Sequence, residues 1–141
     1  MLNGIPYRAA ELVEKEINLG RIKKTKKTYE LMAGSWHSAR ELDKAIMAYN
    51  VAAEIGKDPK IFVQVGRIHA EQEQWDEAIA AYEKALKLGN FKNTGEVQLA
   101  VGIAKFYSQD KTGAIASLKN ALAQADTKSQ AAKWLDFVNR H

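Results

Sequence analysis

Apolar residues recur at three- and four-residue steps along most of the chain. Between residues 59 and 89, Phe62, Val65, Gly66 and His69 are followed, after the polar stretch Gln72-Glu73-Gln74, by Ala78, Ile79, Tyr82, Ala85 and Leu86. That is helical periodicity twice with one interruption. The same design returns in residues 95–125 around the polar break Ser108-Gln109-Asp110, and it precedes them in residues 25–56. Small residues set the register: Ala33, Gly66 and Gly102 share one column, Ala45, Ala78 and Ala114 a second, and Ala52, Ala85 and Ala121 a third. Tyr49, Tyr82 and Leu118 sit between the last two columns, and Ile46, Ile79 and Ile115 follow the second. Small residues at fixed positions let two helices approach closely while a large side chain fills the space beside them. Each copy therefore predicts a helical hairpin that cannot bury its apolar face alone and stacks on its neighbours.

The spacing and the small–aromatic–small signature of the second helix resemble the tetratricopeptide repeat (TPR) family over residues 25–126. The middle copy carries the resemblance most fully, with Phe62, Val65, Gly66, Trp75, Ala78, Tyr82 and Ala85 in family columns. The third copy departs from it at Gln98, Lys105 and Lys111, where bulky apolar residues are usual, and the first has Ala33 for the glycine. No copy has the closing proline, although Asp58-Pro59 follows one position later and suits the start of the next hairpin. The resemblance implies an all-α, right-handed α-solenoid of three TPR hairpins, with a leading helix and a C-terminal capping helix.

The expected segments are 1–24, a leading helix and basic linker; 25–58, 59–94 and 95–126, the three repeats; and 127–141, the cap. Pro6 suits a first helical turn and Gly20 the residue past the end, with Ala9, Ala10, Val13 and Ile17 as the apolar stripe between them. A lone helix there reads as the second helix of a truncated repeat, with an atypical solenoid cap as the alternative. At the other end Thr127 can cap a helix whose face carries Ala131, Trp134, Leu135 and Val138.

A finer resemblance rests on loop wording. The runs GIPYRAAELVEKEINLGRIKKT, ARELDKAI, KLGNFKNTGEVQLAVGIA and AAKWLDFV look like the C-terminal part of bacterial TPR proteins assigned to TonB systems. That resemblance implies a periplasmic or envelope-associated setting, TonB/ExbB/ExbD-type partners and a longer, signal-bearing protein. A cytoplasmic location is the alternative.

Composition narrows the function classes. The 141 residues include 21 Lys+Arg, 17 Asp+Glu and no cysteine, giving a net charge of +4. One domain of this length buries about two-thirds of its unfolded surface. Cysteine-based metal sites and disulfides are excluded. No apolar run approaches the ~18 residues of a membrane span, and the opening residues lack the basic-then-apolar pattern of a secretory signal. Neither a P-loop nor a G-x-G-x-x-G run occurs. His37, His69 and His141 form no metal-ligand spacing, and Ser35 and His37 point to different sides of a helix. The expectation is a non-enzymatic protein without cofactor or metal. Arg21, Lys23, Lys24, Lys26 and Lys27 concentrate charge, but no interleaved aromatics offer stacking for bases, so nucleic acid is not expected.

In the TPR family the stacked first helices line a concave groove. Carried over residue by residue, that face comprises Lys27, Glu30, Lys60, Val63, Gln64, Arg67, Leu99, Ile103, Phe106 and Tyr107. Leu31, Gln64 and Ala100 occupy the column where chaperone-binding members use asparagine, so that carboxylate clamp is incomplete. The third first-helix is apolar nearly all round, which makes Ile103, Phe106 and Tyr107 either core or anchors for a partner. The expected function is a protein–protein interaction scaffold holding a partner segment. Self-association is the alternative, and RNA binding through the basic run a weaker one.

Overall fold

Polar breaks and small-residue columns translate into helices separated by tight turns. The computed structural model describes residues 4–141, and among these the chain forms eight α-helices and no strand. They are α1 (Gly4–Asn18), α2 (Lys26–Ser38), α3 (Leu42–Gly56), α4 (Pro59–Glu71), α5 (Trp75–Leu88), α6 (Thr94–Tyr107), α7 (Lys111–Leu122) and α8 (Lys128–Arg140). The chain divides inside α4 into two compact units, one ending at Phe62 and one running from Val63 to His141.

In the first unit α1 packs on α2 and α2 on α3. Gly20, at φ 74°, ends α1 by letting its own N–H and that of Arg21 reach back to the Ile17 and Glu16 carbonyls. Thr25 starts α2 with a reciprocal cap: its Oγ1 accepts the Thr28 N–H, and Thr28 Oγ1 accepts the Thr25 N–H. Ala10, Ile17, Met32, Ala33, Trp36, Ala45 and Ala52 are buried. Ala9, expected on the apolar stripe of α1, is exposed; the buried face runs through Ala10 and Ile17 instead. Tyr7 meets Trp36 edge-on at 5.0 Å, and the Lys44 ammonium lies 4.4 Å from the Trp36 ring centre.

In the second unit α5 packs on α6, α6 on α7 and α7 on α8, with α8 returning to touch α6. Leu99, Leu118, Ala121, Ala131 and Val138 form one apolar cluster, on which Ile103, Phe106, Ile115, Leu122, Trp134 and Leu135 pack. The capping helix thus closes the last hairpin. Thr127 departs from expectation. Its hydroxyl caps no helix but donates to the Ala121 carbonyl at 2.7 Å, and it is buried beside Gly95, whose missing Cβ makes room for it. The Ala121 carbonyl, which also accepts the Gln124 N–H at the end of α7, takes the hydroxyl that α8 would otherwise use.

The turns inside the hairpins repeat one device. Arg40, Glu73 and Gln109 each adopt positive φ, and the following residue's N–H reaches back to Trp36, His69 and Lys105 respectively. This is the Schellman arrangement without its usual glycine. In the second hairpin it is reinforced by a 2.7 Å hydrogen bond between His69 Nδ1 and Gln74 Oε1, which places this histidine in a structural role.

Close approach within a hairpin depends on two glycines. A Cβ built at Gly66 would lie 2.5 Å from the Tyr82 ring, and one at Gly102 2.7 Å from Leu118. At Gly34 the nearest atom is Tyr49 Oη, at 3.8 Å. Alanine gains ~1 kcal/mol over glycine in a helix interior, whereas overpacking a tight core costs about 1–3 kcal/mol. The steric cost wins where the ring or leucine is buried. Gly66→Ala and Gly102→Ala are therefore expected to destabilise by about 1 kcal/mol, and Gly34→Ala to leave stability unchanged or raise it. Urea denaturation of the three variants checks the difference in sign.

Candidate functional site

Aromatic side chains from three helices meet where α6 ends. Trp75 opens α5 and stacks on Tyr107, the last residue of α6, with ring centres 5.0 Å apart. Phe106 lies 5.5 Å from Tyr107 and meets Phe137 of α8 edge-on at 5.4 Å. Trp134 and Phe137 sit three residues apart on one face of α8, with centres 5.6 Å apart and rings at 83°. Phe137 also lies 4.2 Å from the His141 ring. Edge-to-face pairs of this kind contribute beyond their buried area, so the rings form a connected, mutually oriented set.

The set is only partly covered. Tyr107 is 47% exposed and Phe137 40%. With Trp134 and Lys133 they line an open hollow of about 390 Å3. Its chemistry is apolar and aromatic, with one ammonium at its edge. A second hollow of about 320 Å3 lies in the first unit, lined by Tyr29, Met32, Trp36 and Met47 among others, with Lys44 already engaged over its rings.

The residues assigned to a partner face from the sequence take different positions. Lys27, Lys60 and Arg67 are exposed, and Glu30 and Gln64 are half-buried. Val63 is 7% exposed and Leu99 8%, so their side chains offer a partner little surface. Ile103 and Phe106 are half-buried against the cluster of α7 and α8. Of the four residues assigned on α6, Tyr107 is the one presented to solvent. Trp75, Lys133, Trp134 and Phe137 were not assigned. Their signal was the spacing of Trp134, Phe137 and His141, which puts three rings on one face of the last helix.

The basic run at 21–27 is partly neutralised. Arg21 pairs with Glu16 at 3.4 Å. Lys26 lies 2.8 Å from Asp58 and 3.7 Å from Glu30. The aliphatic stem of Lys26 occupies the space a Cβ on Gly56 would fill, which brings the ammonium to Asp58. The other Asp58 oxygen accepts the Lys60 N–H at 2.9 Å and so holds the start of α4. Burial alone would raise the Asp58 carboxyl; the Lys26 ammonium and the Lys60 amide outweigh it and hold the group below its ordinary range. Lys26 is raised, chiefly by its hydrogen bond to Asp58. Burial likewise raises the Tyr82 and Tyr49 phenols. Among the described residues no cluster of three or more His, Asp or Glu could hold a metal ion, and no helix is long and apolar enough to cross a membrane.

Comparison with known proteins agrees with this architecture. Residues 59–90 match the tetratricopeptide repeat family model. The crystal structure of MamA superposes with a TM-score of 0.69 at 21% identity, over 92% of this chain and 72% of that one. YrrB, described as a TPR protein with an unusual peptide-binding site, gives 0.68 at 22% identity, over 92% and 66%. The N-terminal domain of stress-induced protein-1 (STI-1) from C. elegans gives 0.68 at 14% identity, over 77% and 92%. No curated protein sequence matches the chain. The chain has the TPR-like helical repeat fold. Tetratricopeptide repeat proteins generally mediate protein–protein interaction.

The electrostatics give a test. A carboxyl held below its ordinary value contributes stability that is full above that value and is lost as the pH falls through the folded one. The ordinary value here is 3.8. Asparagine keeps a capping oxygen but no charge. Wild-type protein is therefore expected to melt higher than Asp58→Asn at pH 7, and the gap to close as the pH falls below about 4. Thermal melts from pH 7 to pH 2 measure it.

Proposed function

We propose that the chain is a non-catalytic interaction module that holds a peptide segment of a partner protein against the aromatic surface of α6 and α8. The observation that carries this reading is the exposure of Tyr107 and Phe137 beside Trp134 around one hollow. Aromatic side chains in concave, preformed sites are the usual anchors of protein recognition, and a rigid site spares the ordering cost of binding. The peptide-binding site described for the TPR protein YrrB supports the same mode. Among the ten residues carried over from the family groove, Tyr107 acts as the anchor, Ile103 and Phe106 as its apolar support, and Gln64 and Arg67 as polar groups of the same unit. Lys27, Glu30 and Lys60 belong to the first unit, and Val63 and Leu99 serve packing.

The setting proposed is a TonB-type envelope complex in the periplasm, supported by the loop wording of residues 87–104 and of the first twenty-five residues. A cytoplasmic location is the alternative. A second reading, self-association, is favoured by three exposed residues at seven-residue spacing, Ile5 and Leu12 on α1 and Leu19 just past its end.

Two measurements test these readings. Tyr107→Ser and Phe137→Ser are expected to leave the fold intact and to weaken display-selected peptides, and any recovered TonB-, ExbB- or ExbD-type protein, by tenfold or more, the size of a hot-spot truncation. Full retention of binding by both folded variants rejects the site, and envelope extracts yielding none of those proteins reject the setting. Light scattering decides the second reading: a strict monomer at high concentration removes it.

A further inference from the structure

The hollow carries information about the segment it accepts. Its lining is three aromatic rings and one ammonium, and no carboxylate belongs to it. Two other cations on these helices are paired: Lys105 lies 3.6 Å from Glu83, and Arg140 lies 3.2 Å from Asp136. Lys133 is exposed and, among the described residues, is joined to no carboxylate. A solvated lysine is ordinary by itself. At the rim of an apolar hollow it also fixes the sign of charge that an occupant can bring close without repulsion.

Size limits the occupant further. About 390 Å3 is at the small end of the range for ligand sites, enough for one bulky side chain and its flanking backbone. Trp134 stands at 77° to Tyr107 and at 83° to Phe137, so an inserted ring finds both an edge and a face to pack on.

Resting on the peptide-binding reading above, we infer that the hollow takes an aromatic side chain of an extended partner segment whose neighbouring Asp or Glu side chain pairs with Lys133. The aromatic group supplies the buried area. The carboxylate supplies the sign preference and the faster encounter expected of opposite charges.

The probe is a set of three blocked peptides: acetyl-Gly-Asp-Phe-Asp-Gly-amide, its lysine counterpart with Lys for both Asp, and its alanine counterpart with Ala for Phe. Binding is followed by the NMR shift of the Trp134 indole N–H. The acidic peptide is expected to bind about fivefold tighter than the lysine peptide at low salt, the scale of an exposed ion pair. The gap should close near 1 M salt, where the screening length is ~3 Å. In Lys133→Glu, on the exposed side of α8, the order of the two peptides should reverse. The alanine peptide should not shift Trp134. Equal binding of the acidic and lysine peptides, an unchanged order in Lys133→Glu, or equal binding of the alanine peptide each overturns the inference. Stronger binding of the lysine peptide at the same indole overturns the acidic preference while leaving a peptide site in place. Silence of Trp134 towards all three rejects the inference, and the display-selected peptides then decide the broader reading on their own.

Discussion

The second unit depends on how closely the two helices of a hairpin can approach. Gly66 lies under the Tyr82 ring and Gly102 under Leu118, each at a distance that excludes a methyl group. Tyr82 and Leu118 are almost wholly buried, so neither can swing aside at low cost. In the first hairpin the same column holds Ala33, whose methyl group is accommodated. The close approach at Gly102 sets the spacing of α6 and α7, and through Leu118 and Ala121 it sets the surface on which α8 lands.

The aromatic site follows from that placement. Because α8 docks on the cluster around Leu118 and Val138, Trp134 and Phe137 come to the side of α8 nearest the end of α6. Tyr107 is the last helical residue of α6, where the Schellman turn carries the chain away and leaves the ring half exposed. The same packing absorbs Ile103 and Phe106. One helix therefore supplies the core with one face and presents an exposed aromatic ring at its final turn, a division that a helix apolar on nearly all sides permits.

The repeat was legible from residues alone because its signal is geometric. Ala33, Gly66 and Gly102 mark one contact position three times, and three- and four-residue steps report helix directly. The polar breaks at residues 72–74 and 108–110 coincide with the turns at Glu73 and Gln109. The site was less legible. Position in a repeat column tells which helix a residue occupies and not whether a neighbour covers it, so Val63 and Leu99 read as surface and are buried. Phe137 lies outside the repeat columns, and its exposure depends on how α8 settles. Thr127 reads as a cap from its type alone; its hydroxyl instead meets a carbonyl six residues earlier, across a turn.

The claim that the nested small–large pairs hold the hairpins together is tested most directly by a double-mutant cycle on Gly102 and Leu118. Unfolding free energies would be measured for Gly102→Ala, Leu118→Ala and the pair. If the glycine is there to admit the leucine, removing the leucine side chain relieves the clash. The double variant should then lose at least about 1 kcal/mol less than the sum of the single losses, within the range of coupling between residues in contact. Additive losses would contradict the account, because the methyl group at position 102 would then be costing stability for a reason unrelated to the side chain it faces.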